Sequence, residues 1–195
     1  LQVEHAVTEM VTGLDLVEQQ LRIASGEKLT LTQADIVPKG HAIECRICVE
    51  DVYNDFFPDS GVISYLSLPE GEHIRNDSAI YVGYESGIHY DSMAAKLIVW
   101  GQTREEAIER ALWALDNYHL SGFNTTIPFC KFAIDSAPFR TGKYSTFFVQ
   151  ENWRKQVPED MQNLIAAAAA FTRSALGNRR QPRFAETSFW AQQHK

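Results

Sequence analysis

The chain has 195 residues, 45% of them hydrophobic and 22% charged, with a formal net charge of -7. That length holds one domain and part of another around an ordinary core. The acidic balance argues against general nucleic-acid binding, no apolar run reaches membrane-spanning length, and nothing resembles a signal peptide.

The opening segment, residues 1–10, reads with period two as a strand, with Gln2 and Glu4 on one side and Val3 and His5 on the other. Residues 8–12 suit a short helical turn closed by Gly13. Asp15 with Glu18 makes a capping box for a helix whose apolar stripe is Leu14, Val17, Leu21 and Ala24, with Gly26 as its stop. A connector over 27–37 and a turn at Pro38-Lys39-Gly40 lead to the clean alternation of 41–48. There Ile43, Cys45 and Ile47 share one face, and Ala42, Glu44, Arg46 and Cys48 the other. Cys45 and Cys48 therefore face opposite ways. With Cys130 as the one further cysteine, they read as structural thiols rather than as a disulfide scaffold or a zinc half-site.

Residues 51–61 read as loop, and 62–68 and 79–83 as strands. The almost unbroken apolar run 94–100 reads as a central strand, with Lys96 snorkelling from it. Thr103 and Glu106 cap a helix with the buried stripe Ile108, Ala111, Leu112, Leu115 and Tyr118, ended by Ser121-Gly122. Another helix runs from Asn124 or Thr125 to Ile134. The polar stretch 150–160, with Pro158, marks a boundary, and the alanine-rich 161–176 forms a helix on propensity alone. Arg173, Arg179, Arg180 and Arg183 read as a solvated or interdomain surface. The class expected is α+β, an antiparallel sheet packed with helices over residues 1–150, followed by a helical linker segment over 151–195.

Three stretches carry a family resemblance. Gln2-Val3-Glu4-His5, followed by Val7-Thr8-Glu9, resembles the active-site segment of the biotin carboxylases, which are ATP-grasp ligases. His41-Ala42-Ile43-Glu44-Cys45-Arg46 resembles that family's His-Ala-x-Glu-x-Arg strand, and Tyr90-Asp91-Ser92-Met93, with Lys96-Leu97-Ile98, a third motif. The resemblance covers residues 1 to 150 and, more weakly, the tail. It implies a biotin carboxylase C-terminal domain that completes an ATP-grasp fold and begins inside the active-site strand. Phe189-Trp190 resembles the start of a linking domain in acyl-CoA carboxylase α subunits.

The activity so implied is ATP-dependent carboxylation of biotin by bicarbonate through carboxyphosphate, within an acyl-CoA carboxylase. The resemblance makes Glu4 the base beside bicarbonate, places Gln2 and the Val3 backbone in the bicarbonate site, and gives Arg46 the charge developing on the biotin ureido oxygen. Asp91 matches a position close to biotin. A carboxylate suits proton abstraction, and a guanidinium stays charged and offers a planar fork.

The implied cofactors are biotin, ATP and magnesium or manganese, with nucleotide and metal ligands upstream of residue 1. Implied partners are a biotin carrier domain, on the chain's own C-terminus or a separate chain, further copies in an oligomer, and a carboxyltransferase subunit. The compartment implied is the cytoplasm, or the mitochondrial matrix in a eukaryote. The chain is expected to be a fragment inactive on its own. It departs from the family at Ala6, where a proline is usual, and at Glu72, where bacterial homodimers tend to carry an aromatic; Arg75 matches an arginine at that dimer surface. Two alternatives stand beside this reading: another bicarbonate-using ATP-grasp ligase, and a non-catalytic subunit-assembly module.

Overall fold

Hydrogen bonding at the amino terminus favours a turn over a strand. In the computed structural model, which describes residues 1–87, 89–154 and 159–177, the Gln2 carbonyl accepts from His5 N–H and the Glu4 carbonyl from Val7 N–H. Helix α1 (His5–Thr12) therefore starts four residues in and ends at Gly13, whose φ of 74° suits a left-handed cap. The expected opening strand is corrected: its carbonyls are taken locally, and no strand among the described residues pairs with it. Ala6 is fully buried in the first turn of α1, a position that tolerates the proline usual in the family.

Helix α2 (Leu16–Ala24) is capped as expected, Asp15 accepting from Glu18 N–H at 2.7 Å. Its apolar stripe is not buried. Val17 is 41% and Leu21 66% exposed, and no residue of α2 is buried. A 3-10 turn (Gln33–Asp35) leads to β1 (His41–Cys48). Then come β2 (Glu50–Asp51), β3 (Phe57–Pro58), β4 (Gly61–Val62), β5 (Tyr65–Ser67), β6 (Ile74–Ser78), β7 (Glu85–Ser86) and β8 (Met93–Gly101). Helix α3 (Arg104–Asp116), β9 (His119–Ser121), α4 (Ile127–Asp135), α5 (Ala137–Thr141) and α6 (Phe148–Asn152) follow, and α7 (Glu159–Gly177) comes last.

The main sheet has the order β1-β8-β6, antiparallel throughout, so the apolar run is the central strand as its composition demands. Its third strand falls at 74–78 rather than 79–83. Arg75 and Asp77 pair with each other, and that hides the strand from an apolar count. The expected strand 62–68 splits in two, because β4 pairs with β7 and β5 with β9. Helix α3 stops at Asp116, and the chain turns into β9 where a helix to Ser121 was expected.

Alternation sends Ile43, Cys45 and Ile47 of β1 and Ala95, Leu97 and Val99 of β8 to one face. There they pack on Ala107, Ile108, Ala111 and Leu115 of α3. Cys45 and Cys130 meet in this core as free thiols, and the hydrogen bond to Cys130, together with burial, pushes the Cys45 thiol up. The opposite face carries Glu44, Arg46, Lys96 and Ile98 toward α1, which contacts both strands.

The free edge of β1 is held by Thr126. Its hydroxyl donates to the Arg46 carbonyl at 2.7 Å and accepts from Cys48 N–H at 3.0 Å, while its own N–H bonds the Cys48 carbonyl. Across the sheet, Arg75 clamps Asp77 with two bonds (2.7 and 2.9 Å) and reaches Glu9 of α1 at 2.7 Å. The other Glu9 oxygen accepts from Leu16 N–H at the start of α2. Glu9 thus stabilises a helix N-terminus, that of α2 rather than of its own helix.

The chain divides into two units, Leu1–Lys155 and Gln156–Lys195. The first is closed by Trp153, whose indole donates to the Val52 carbonyl and packs on Phe129 and Phe132. In the second, α7 covers the alanine-rich run. Arg179, Arg180, Arg183 and Phe189-Trp190 lie outside the described residues. No helix among the described residues is long and apolar enough to cross a membrane.

Two outcomes follow from these ties. Thr126→Val keeps the shape but leaves the Cys48 N–H without its acceptor, and costs about 1–3 kcal/mol in urea unfolding. Burial alone pushes the Asp77 carboxyl up, but the bond and charge of Arg75, with help from Lys96, outweigh it and hold the group below its ordinary 3.8. That contribution to stability is present above pH 3.8 and lost as pH falls through the lowered value. The destabilisation by Asp77→Asn, measured by urea unfolding across pH, is therefore full at neutral pH and shrinks below pH 4.

Candidate active site

Glu4 and Arg46 lie 42 positions apart and meet, Arg46 Nη2 donating to Glu4 Oε2 at 3.1 Å. The turn at residues 3–4 aims Glu4, and β1 aims Arg46 from the face opposite the core. Both side chains are half open, Arg46 50% and Glu4 58% exposed, so a small polar solute can reach the pair.

Beneath them lies a buried polar floor. The Glu44 side chain is only 6% exposed, with one oxygen 3.7 Å from Arg46 Nε. Its other oxygen has no hydrogen-bond partner. Burial pushes its carboxyl up, against the pull of Lys96 and Arg46. A buried carboxylate oxygen without a donor is costly, so this one leaves acceptor capacity directly beside the guanidinium. Lys96, directly across the ladder from Arg46, is 8% exposed. Its ammonium donates to the Val3 carbonyl at 3.0 Å and lies 3.4 Å from Asp77.

Of the residues singled out from the sequence, Glu4 and Arg46 come together, and Val3 joins them through its carbonyl. Gln2 adjoins them in the chain. Its side chain is exposed, and its carbonyl accepts from His5, whose ring nitrogen lies 2.8 Å away. His5 is thus hydrogen-bonded and tied to the turn. Asp91 makes no hydrogen bond to the Glu4–Arg46 pair among the described residues; its carboxylate accepts from Met93 N–H at 2.7 Å and starts β8.

One reading changes: Lys96 does not snorkel but is held beside the pair by the Val3 carbonyl and Asp77. A lone lysine in an apolar run was the signal for it. For the depth of Glu44, the sequence offered only a shared strand face with Arg46.

Glu44 and Arg46 also line a cavity of about 360 Å³ along the free edge of β1, with Phe129, Cys130 and Phe139. A larger cavity of about 620 Å³, beside His73 and Trp100, includes neither Glu4 nor Arg46. Chemistry rather than size picks out the site. No cluster of three or more metal-ligating side chains occurs among the described residues.

Comparison with known proteins bears on this arrangement. Residues 44–151 match the family model of the biotin carboxylase C-terminal domain, and residues 1–32 that of the carbamoyl-phosphate synthase L chain ATP-binding domain. A pyruvate carboxylase subunit of Methanothermobacter thermautotrophicus is 47% identical over 165 residues, which is 85% of this chain and 33% of that protein. The biotin carboxylase of Nostoc sp. is 50% identical over 151 residues, 77% of this chain and 34% of that one.

Among solved structures, the biotin carboxylase domain dimer of Hydrogenobacter thermophilus 2-oxoglutarate carboxylase was determined with MgADP, ADP and bicarbonate. It superposes with a TM-score of 0.76 at 46% identity, covering 77% of this chain and 33% of that one. The chain spans about a third of the length of the curated relatives it matches. Since residues 44–151, more than half of the chain, match its model, the chain belongs to the biotin carboxylase C-terminal domain family.

Proposed function

We propose that this chain is the C-terminal part of an ATP-dependent biotin carboxylase, and that Glu4 and Arg46 act on bicarbonate and on the biotin ureido group. The observation that carries this is the half-exposed Glu4–Arg46 pair at 3.1 Å, set over a buried carboxylate. The donor set fits such ligands: a carboxylate able to accept a proton, a guanidinium fork open to solvent, and an unused acceptor beside it. When bound, ATP supplies the phosphoryl group that activates bicarbonate, and biotin the nitrogen that takes up the carboxyl group.

Each residue then has a stated task. Glu4 takes the bicarbonate proton as general base. Gln2 and the Val3 backbone orient the anion. A ligand entering between Glu4 and Arg46 replaces their direct bond, and Glu44 stays behind as counter-charge to the guanidinium. Arg46 then meets negative charge developing on the ureido oxygen. Asp91 lines the biotin side. Nucleotide and Mg²⁺ or Mn²⁺ fall to the part of the parent protein upstream of residue 1.

A relative named as a pyruvate carboxylase subunit supports a place in a carboxylase complex, and the Hydrogenobacter domain is a dimer; a carboxyltransferase subunit and a biotin carrier domain are the partners we assign to that complex. We place the complex in the cytoplasm, or in the mitochondrial matrix of a eukaryote. The match of residues 1–32 to a carbamoyl-phosphate synthase ATP-binding domain favours a second reading, another bicarbonate-using ATP-grasp ligase. That enzyme would not need Arg46 for a biotin oxyanion.

In the full-length parent, Arg46→Lys lowers carboxylation of free biotin about a hundredfold to a thousandfold, and Glu4→Gln lowers bicarbonate-dependent ATP cleavage about a hundredfold or more but leaves a measurable residual rate, both read as phosphate release. Wild-type rates in both variants, or an enzyme that ignores free biotin, overturn the assignment. Purified residues 1–195 show no bicarbonate-dependent ATPase by the same measurement.

A further inference from the structure

A lysine ammonium at 8% exposure is costly unless its protons find acceptors. Lys96 has two acceptors in reach. Asp77 is the weaker, at 3.4 Å, and is already clamped twice by Arg75. The shorter bond, 3.0 Å, goes to the backbone of the segment that carries Glu4.

Peptide geometry passes that constraint on. The Val3 carbonyl, the Glu4 nitrogen and the Glu4 Cα share one plane. Fixing that plane fixes the Glu4 N–Cα bond, and the start of α1 sets the rotation about it, with Glu4 at φ -77°. One residue later α1 begins, so Glu4 stands between a helix start and an anchored carbonyl. Lys96 is also the cross-strand partner of Arg46. One rung of the ladder thus supplies the cation that meets the Glu4 carboxylate and the cation that holds the Glu4 backbone.

We propose that Lys96 is a positioning residue of the carboxylation site, its ammonium pinning the Val3 carbonyl so that the Glu4 carboxylate faces the bicarbonate position and Arg46. This rests on the reading of Glu4 as general base. Lys96 touches neither substrate nor nucleotide; it acts through Glu4.

The test is a double-mutant cycle in the full-length parent, read as bicarbonate-dependent ATP cleavage. Lys96→Met lowers kcat about tenfold to a hundredfold with the KM for ATP within about twofold of wild type. In a Glu4→Gln background the same change costs less than about twofold, because the group it positions is gone. Lys96→Gln, which keeps a shorter donor, falls between wild type and Lys96→Met and serves if Lys96→Met does not fold. Equal losses in both backgrounds, or a wild-type kcat in Lys96→Met, overturn the proposal. Loss of folding in both Lys96 variants does so too, since it assigns Lys96 to stability. Glu4→Gln alone separates the two claims: with Lys96 intact, an unchanged rate sinks the reading of Glu4, and the positioning role falls with it.

Discussion

One rung of one antiparallel ladder governs the site: Arg46 on β1 directly opposite Lys96 on β8. Two cations at that spacing on one face repel, and the pairing holds only where anions separate their fields. Glu4 and Glu44 serve Arg46, while Asp77 and the Val3 carbonyl serve Lys96. The polar layer between α1 and the sheet follows from this requirement. Arg75 extends it, joining Asp77 to Glu9 and through Glu9 to the start of α2.

The same rung separates chemistry from support. On one side of the sheet, Ile43, Cys45, Ile47, Ala95, Leu97 and Val99 give a dry contact with α3 that fixes the strands. On the other, the same strands bring the charged Glu44, Arg46 and Lys96 together beside the apolar Ile98. Strand alternation makes both possible within two segments of eight and nine residues. Register then decides whether the pair forms: a slip of one residue would carry Arg46 into the core and Cys45 or Ile47 out to Glu4.

What could be read in advance divides along physical lines. Elements with strong local signals were legible: the alternation of 41–48, the apolar run that became β8, and the capping residues Asp15 and Thr103. Elements defined by distant partners were not. β6 is written in charged residues whose complement is each other, β5 and β9 exist because they pair, and the first four residues alternate too briefly to outweigh local hydrogen bonds. In the site, Glu4 and Arg46 were legible through motif resemblance, which carries no information on depth. The burial of Glu44 and Lys96 depends on α1 lying over the sheet, and no spacing in the sequence states that.

α2 has a different kind of footing. It is nine residues long and buries none of them, and a helix that short is marginal in water by itself. Its ties are the Asp15 cap, the Glu18–Arg22 pair and the Glu9 bond to Leu16 N–H. Its opening is thus governed by a few electrostatic ties exposed to salt and acid rather than by apolar packing. Amide protons along α2 accordingly exchange with solvent through local fraying, well before those of β8, which are released only when the sheet comes apart.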